Sequence, residues 1–338
     1  MDVAVVVNLR ARRGSEAMGR MVRDLLPRAR VTVTRSLEDV RRWITDDLAP
    51  NPPALLLSGG GDGTAVALVN ELRTLKVDLP PIGVLPLGTG NGWAHVTGAP
   101  RARDALRTIA ALKGKQPPTR RFALVEVVDG DCKGAVAPFI GTGWDAEIVS
   151  DFKAQLKNLP GGLKTINDGL FGYLKGMFTR TIPRHLFGDG PANVTLINTG
   201  DDVAMTVDEH GRVVPIPGAG KGAILYRGPA SVASAATTDE WGFGFRAFPF
   251  AHACPGRLST RIYGASVLEA TRNMMKLWRG EHPMPKMHDF FVTSARMEFD
   301  RDVPFQAGGD VAGLRRSFEY RIADEGVHLV DWTRLRAA

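Results

Sequence analysis

The chain has 338 residues, 44% of them hydrophobic and 23% charged. That is enough for two ordinary domains with sizeable cores, and it excludes a disordered chain, a collagen or a repeat array. Lysine and arginine number 43 against 36 acids, a net charge of +7, a surplus that suits anionic partners without choosing among nucleotides, nucleic acids and acidic headgroups.

The first third alternates strand and helix signals. Val3–Val7 is a short apolar run that reads as a buried strand; it is too short, and too poor in preceding basic residues, for a secretion signal. Arg10–Gly14 is a basic loop. Ser15 begins a helix as its cap and the pattern runs to about Leu26. Strands follow at Arg30–Thr34, Ala54–Leu57 and Ile82–Leu85. Helices fall at about Glu38–Asp47, Ala65–Lys76 and Arg101–Leu112. This order predicts a mainly parallel sheet covered by helices on both sides.

Near residue 115 the pattern changes. Gly114-Lys-Gln-Pro-Pro118 reads as a linker, and Phe122–Val128 with Val136–Ile140 as a hairpin about Asp129-Gly130. Short strands recur at Val194–Ile197, Val203–Val207, Arg212–Pro215, Ala223–Tyr226, Leu258–Tyr263 and Ala295–Phe299. The expected architecture is therefore an N-terminal Rossmann-like parallel-sheet domain over 1–118, completed by 327–338. A mainly antiparallel β-sandwich domain would occupy 119–326. Residues 160–187 interrupt the second domain. Their apolar positions (Leu163, Ile166, Leu170, Leu174, Met177, Phe178) sit near helical spacing beside Lys157, Lys164, Lys175, Arg180 and Arg184. That fits a helix packed on the sheet, or a lid facing a membrane.

Two cysteines, Cys132 and Cys254, form no CxxC pair, so neither a zinc site nor a disulfide framework is expected and a reducing compartment fits. No run approaches the ~18 apolar residues of a spanning helix; the expected location is cytoplasmic, with any membrane contact peripheral. The histidines form no metal pattern, and no basic–aromatic motif points to nucleic acid.

Chemistry concentrates in Leu55-Leu-Leu-Ser-Gly-Gly-Gly-Asp-Gly-Thr64. A buried strand runs into four glycines and an acid, and a helix starts at once. Glycines admit close approach of backbone N–H groups to an anion, and a helix start adds a positive dipole end. The segment is neither a GxxxxGK[ST] loop nor a GxGxxG fingerprint. Pro86-Leu-Gly-Thr-Gly-Asn91 is a second such loop. In an open parallel sheet, the loops after Val7, Leu57 and Leu85 converge on one crevice.

GGGDGT followed by PLGTGN resembles the catalytic domain of the diacylglycerol kinase and sphingosine kinase family, with NAD kinases as distant relatives. Asn8 with Arg10–Gly14, Gly141-Thr-Gly-Trp-Asp-Ala146 and Phe305-Gln-Ala-Gly-Gly-Asp310 resemble further family segments. Two departures stand out: Gly308-Gly309-Asp310 occupies the place of the family's Asp-Gly-Glu, and Pro255-Gly256-Arg257-Leu258 lacks the acid that contributes to a structural magnesium site. The resemblance implies phosphorylation by ATP, with Mg2+, of a hydroxyl on a lipid acceptor of the diacylglycerol, phosphatidylglycerol or sphingoid kind at an anionic membrane surface. It assigns Asn8, Arg10, Thr34, Gly59, Gly60, Gly61, Gly63, Thr64, Gly88, Thr89 and Asn91 to the nucleotide, and Asp62 or Asp310 to removal of the acceptor's proton. It also offers Asp62 as a ligand of metal-bound water, leaves the metal's own ligands open, and is compatible with a homodimer. The alternatives are an NAD-kinase-like enzyme acting on a soluble acceptor, and a catalytically inactive nucleotide- or lipid-binding protein.

Overall fold

Five consecutive apolar residues, Val3–Val7, are fully buried in β1 (Val3–Asn8), as a strand covered on both faces requires. The computed structural model describes residues 1–89, 91–157, 175–181, 183, 190–242 and 244–336. The chain divides into two units, Met1–Phe122 with Glu325–Ala338, and Ala123–Asp324.

In the first unit β1 leads to α1 (Glu16–Leu25), whose Ser15 cap accepts from the Met18 N–H at 3.1 Å. Then come β2 (Arg30–Thr34) and α2 (Leu37–Trp43), which opens on a Ser36/Asp39 capping box. The strongly buried β3 (Leu55–Gly60) runs into α3 (Asp62–Thr74), followed by β4 (Ile82–Pro86), α4 (Gly92–Val96), α5 (Ala102–Ala111) and β5 (Thr119–Phe122).

The second unit carries β6 (Val125–Val127), β7 (Val136–Ala137), β8 (Phe139–Gly143) and α6 (Trp144–Lys157). Next are β9 (Ala192–Asn198), β10 (Met205–Val207), β11 (Val213–Pro215), β12 (Ile224–Ala230), β13 (Val232–Ala236) and β14 (Leu258–Tyr263). Two short helices, α7 (Val267–Arg272) and α8 (Met274–Arg279), precede β15 (Met287–Val292), β16 (Ser294–Ala307) and β17 (Asp310–Ile322). The chain then returns to the first unit as β18 (Val327–Val330) and α9 (Trp332–Arg336).

The first sheet has the order β2-β1-β3-β4-β18-β5, parallel except for β5. Val5, Leu57, Leu106, Ile109 and Trp332 belong to its apolar core. β5 pairs with β18, Thr119 opposite Val330 and Phe122 opposite Val327. Residues 119–122 and 325–326 therefore belong to the first unit rather than to the 119–326 expected for the second. The single strand expected over Phe122–Val128 is accordingly two, β5 and β6.

Among the described residues the second sheet is antiparallel, a path of ten strands from which β9 and β12 branch off at β16. Its joint is β16. One edge of β16 pairs with β17 along its length, while the other pairs first with β9 (Ala295–Phe299) and then with β8 (Phe305–Ala307). A strand that changes partner along one edge turns the sheet on itself. Of the stretch 160–187, only 175–181 and 183 are described, with Lys175 and Arg180 exposed and Met177–Thr181 forming one π-helical turn; Leu163, Ile166, Leu170 and Leu174 of the expected apolar stripe, with Lys164 and Arg184, lie outside the described residues.

Candidate active site

The loops after β1, β3 and β4 are bonded to one another. Asn8, the last residue of β1, donates from Nδ2 to Thr64 Oγ1 at 2.9 Å and accepts the Arg10 N–H on Oδ1 at 2.8 Å. Thr34 lies opposite Asn8 on β2, is 2% exposed, and its carbonyl takes the Leu9 N–H. The Arg13 N–H reaches the Leu87 carbonyl at 2.9 Å. The Gly60 carbonyl accepts the N–H groups of both Leu87 and Gly88, at 2.9 and 3.0 Å. Asn8, Thr34, Gly60, Thr64 and Gly88 thus come together, while the Arg10 side chain stands exposed at the rim.

Helix α3 begins at Asp62, three residues before the Ala65 that its apolar pattern suggested, so Asp62, Gly63 and Thr64 form its first turn. Gly61 is its N-cap, and no side chain caps it. The start of a thirteen-residue helix with no side-chain cap offers N–H groups and the positive end of the dipole to an anion. Gly60 is required here, because a Cβ at that position would overlap the Thr64 side chain. Asn91, the N-cap of α4, donates to the Gly88 carbonyl at 3.0 Å, and its buried Oδ1 has no hydrogen-bond partner among the described residues. Thr89 is half-buried in the same turn.

Asp62 holds the two glycine loops together. Its Oδ2 accepts the Gly92 N–H at 2.7 Å and its Oδ1 the Trp93 N–H at 2.9 Å. α4 has no side-chain cap of its own, and Asp62, thirty residues earlier, satisfies its first N–H groups instead. Burial pushes the Asp62 carboxyl above its ordinary value, against the N–H groups of Trp93 and Gly92, which pull it down. This explains in physical terms why GGGDGT and PLGTGN occur as a pair: the acid of the first is the helix cap of the second. Asp310 has a different setting. It is exposed in the second unit, directly after the two-residue turn Gly308-Gly309, whose φ values of 58° and 86° suit a tight hairpin.

Within the second unit a polar row crosses the sheet. Gln306 on β16, Gly141 on β8, Ser234 on β13, Arg261 on β14 and Asp289 on β15 are successive cross-strand partners. Asp145, in the first turn of α6, lies over Gly141, where a Cβ would overlap its carboxylate. Its Oδ2 accepts from Ser234 Oγ and from Gln306 Nε2, each at 3.0 Å, and its Oδ1 from the Ala146 N–H at 2.7 Å. Asp145 is 3% exposed, and burial raises its carboxyl to about 7 despite those donors. Arg261 forms a bidentate pair with Asp289 at 2.7 and 2.9 Å and donates to the Ala247 carbonyl. From the Phe305–Asp310 segment it is Gln306, not the acid, that enters this network.

Asp145, Ser234 and Arg261 line a cavity of about 110 Å³. The rest of its wall is aromatic and aliphatic: Trp241 packs edge-on against Phe245, which stacks on Trp278 at 5.3 Å. The Trp241 Nε1, buried, has no hydrogen-bond partner among the described residues. The sequence signalled Asp145 through Gly141–Ala146. Gln306 lies within the Phe305–Asp310 segment, where the acid rather than the amide drew the assignment; Ser234 and Arg261 carried no signal, because they lie in no motif and on different strands.

Residues 2–124 match the diacylglycerol kinase catalytic domain. The match covers the three loops bonded around Gly60 and Asp62. The chain is 35% identical over 85 residues to the "Probable lipid kinase YegS" of Escherichia coli, a stretch that is 24% of this chain and spans 27% of that relative's length. A diacylglycerol kinase structure from Bacillus anthracis str. Sterne superimposes with a TM-score of 0.61 at 14% identity, covering 97% of this chain and 96% of that one. An NAD kinase from Archaeoglobus fulgidus in complex with ATP gives 0.53 at 12% identity, covering 100% and 96%. These two likenesses establish the fold: a parallel sheet with helices, and a large antiparallel sheet. No helix among the described residues is long and apolar enough to cross a membrane.

The cradle fits the phosphates of ATP, since glycines at the loop leave the start of α3 open. Among the described residues no cluster of three or more His, Cys, Asp or Glu side chains could hold a metal ion. Asp62 is the single acid in the three loops. A Mg2+ ion would accordingly be held by phosphate oxygens and water, with Asp62 as the one carboxylate at hand.

Proposed function

We propose that the protein transfers the γ-phosphoryl group of ATP to a hydroxyl on a lipid at a membrane surface. The observation that carries this reading is the Asp62 latch, which closes GGGDGT and PLGTGN into one cradle around the open start of α3. The names of the relatives, a lipid kinase and a diacylglycerol kinase, point the same way, and the ATP complex of the NAD kinase supports the choice of nucleotide.

In the reaction the acceptor oxygen bonds to the γ-phosphorus, the bond to the β-phosphate oxygen breaks, and ADP leaves. Magnesium, when bound, supplies neutralisation of the phosphate charge. Asn8, Thr64 and the first-turn N–H groups of α3 bind and orient the phosphates. Asp62 keeps the cradle closed; we assign it the acceptor's proton ahead of the exposed Asp310.

The acceptor class is read from the second unit. An apolar cavity lined by three tryptophans, Trp144, Trp241 and Trp278, suits an acyl or alkyl chain and gives little to a dinucleotide, which favours a lipid over an NAD-like acceptor. Its volume of about 110 Å³ approaches that of cavities of about 150 Å³ that take up benzene. Asp145 and Ser234 at its polar side offer hydrogen bonds to hydroxyl groups.

The test is a panel of hydroxyl lipids in mixed micelles with labelled ATP and Mg2+, run beside NAD. Phosphorylation of a lipid and not of NAD is expected. Phosphorylation of NAD alone, or ATP binding without turnover on any hydroxyl lipid, overturns the reading. Gly61→Asp provides the control on the cradle. Asp is a good N-cap, so the fold is kept. A negative charge some 5 Å from phosphate at an intermediate dielectric costs about 3 kcal/mol, so ATP affinity should fall at least about a hundredfold.

A further inference from the structure

Helices α7 and α8 form one amphipathic element over the cavity. Asn273 ends the first and begins the second, and its side chain bonds back to the Glu269 carbonyl at 3.0 Å. One face carries Val267, Ala270, Met274, Leu277 and Trp278, which line the cavity. The opposite face carries Leu268, Arg272, Met275, Lys276 and Arg279, all exposed, at spacings of four, three, one and three residues. Leu268 and Met275 are 66% and 60% exposed, among the most exposed large apolar side chains of the described residues. Of the acids close by, Glu269 is held by its Ser266 cap and by Lys286 Nζ at 2.8 Å, while Glu281 lies 3.6 Å from Arg279 and offsets that one cation. Thr271 both lines the cavity and is exposed, so the cavity opens beside this same element.

We infer that the outer face of α7–α8 docks on an anionic lipid bilayer, with Leu268 and Met275 entering the headgroup region and Arg272 and Lys276 pairing with its phosphates. The proposal rests on the lipid-kinase reading for its purpose and deepens it, by naming the surface from which the acceptor's chain passes into the cavity. Charge complementarity selects the bilayer. Exposed apolar side chains interleaved with cations, on a short helix lying flat, match the interface between headgroups and acyl chains. A second copy of this chain would instead bring the like charges of Arg272 and Lys276 together.

The test is flotation with phosphatidylcholine vesicles, with and without phosphatidylglycerol, for the wild type, for Leu268→Ser with Met275→Ser, and for Arg272→Ser with Lys276→Ser. Each near-surface cation contributes about fivefold to partitioning on anionic membranes. The basic pair should therefore lose about thirtyfold on vesicles containing phosphatidylglycerol and little on phosphatidylcholine alone. The apolar pair should lose at least about tenfold on both. Melting temperature and ATP affinity should be unchanged in all. Wild-type partitioning in both double variants overturns the docking, as does a wild-type dimer that either variant converts to monomer, since a second copy would then cover the face. A kinase assay separates this from the proposed function. If docking is right, the variants lose rate on vesicle-borne acceptor and keep it on a monomeric short-chain diacylglycerol. If no hydroxyl lipid is phosphorylated even by the wild type, the function reading fails while flotation still decides the docking.

Discussion

The glycine-loop cradle of the first unit and the polar row of the second are built in opposite ways. The cradle is made from backbone: contiguous glycines, the start of α3, and loops joined by carbonyl and N–H groups. It needs two long-range side-chain ties, the Asp62 latch and the Asn8–Thr64 bond. The polar row is made from side chains contributed one at a time by β16, β13, β14, β15 and α6, and the bonds that join them link residues distant in sequence. A site of the first kind tolerates change around it but not within its motif. One of the second kind is part of the core, and a change there is felt as stability.

The largest effect should come from Arg261→Ala. It leaves the Asp289 carboxylate buried without its partner, a loss of about 3–5 kcal/mol. Denaturation of the second unit, followed by tryptophan fluorescence, would show it, and Arg261→Met with Asp289→Leu should recover most of the loss. ATP affinity of the folded single variant should stay within about threefold of wild type. A large drop in ATP affinity without destabilisation would erase the contrast between the two regions.

Asp145 sharpens it. Its folded carboxyl titrates near 7, above its unfolded value of about 4, so the fold prefers the neutral acid. Its contribution is complete below about pH 4 and is lost as pH rises to 7 and beyond, at most about 4 kcal/mol. This is opposite in sign to Glu269, whose bonds to Lys286 and Ser266 hold it at about 2. The stability of the wild type relative to Asp145→Asn should therefore fall between pH 4 and 8 in a series of denaturant melts. A pH-independent difference would show that Asp145 stays ionised throughout.

The smallest of the three concerns Asp62→Asn. It turns one acceptor facing the Gly92 and Trp93 N–H groups into a donor, leaving one of them unsatisfied at about 1–3 kcal/mol. If Asp62 serves as a latch alone, ATP affinity and turnover fall together, by roughly ten- to a hundredfold. If it also takes the acceptor's proton, turnover falls by two to four orders of magnitude, far beyond the loss in affinity. Isothermal titration with ATP beside steady-state rates separates the two. Normal values of both would remove Asp62 from the mechanism altogether.

The sequence by itself determined the first unit and its cradle. Val3–Val7, Leu55–Leu57 and Ile82–Leu85 are apolar runs that only a doubly covered parallel sheet can bury. GGGDGT and PLGTGN follow two of those strands at once, so topology alone brings them to one edge. Strand existence in the second unit was legible too, since short β-branched runs punctuated by turns mark antiparallel pairing. The elements not read from the sequence include the helices α4 and α6, the strands β15 and β17, β13, whose Val-Ala-Ser-Ala-Ala has little strand preference, and α7–α8, short helices that hold their shape by covering a cavity. Tertiary structure alone decided the partner of Asp62, the start of α3 at Asp62, and the row through Gln306, Asp145, Ser234 and Arg261. The physical reason is the same in each case: these positions are set by register between strands and by hydrogen bonds across thirty or more residues, and local composition carries no record of either.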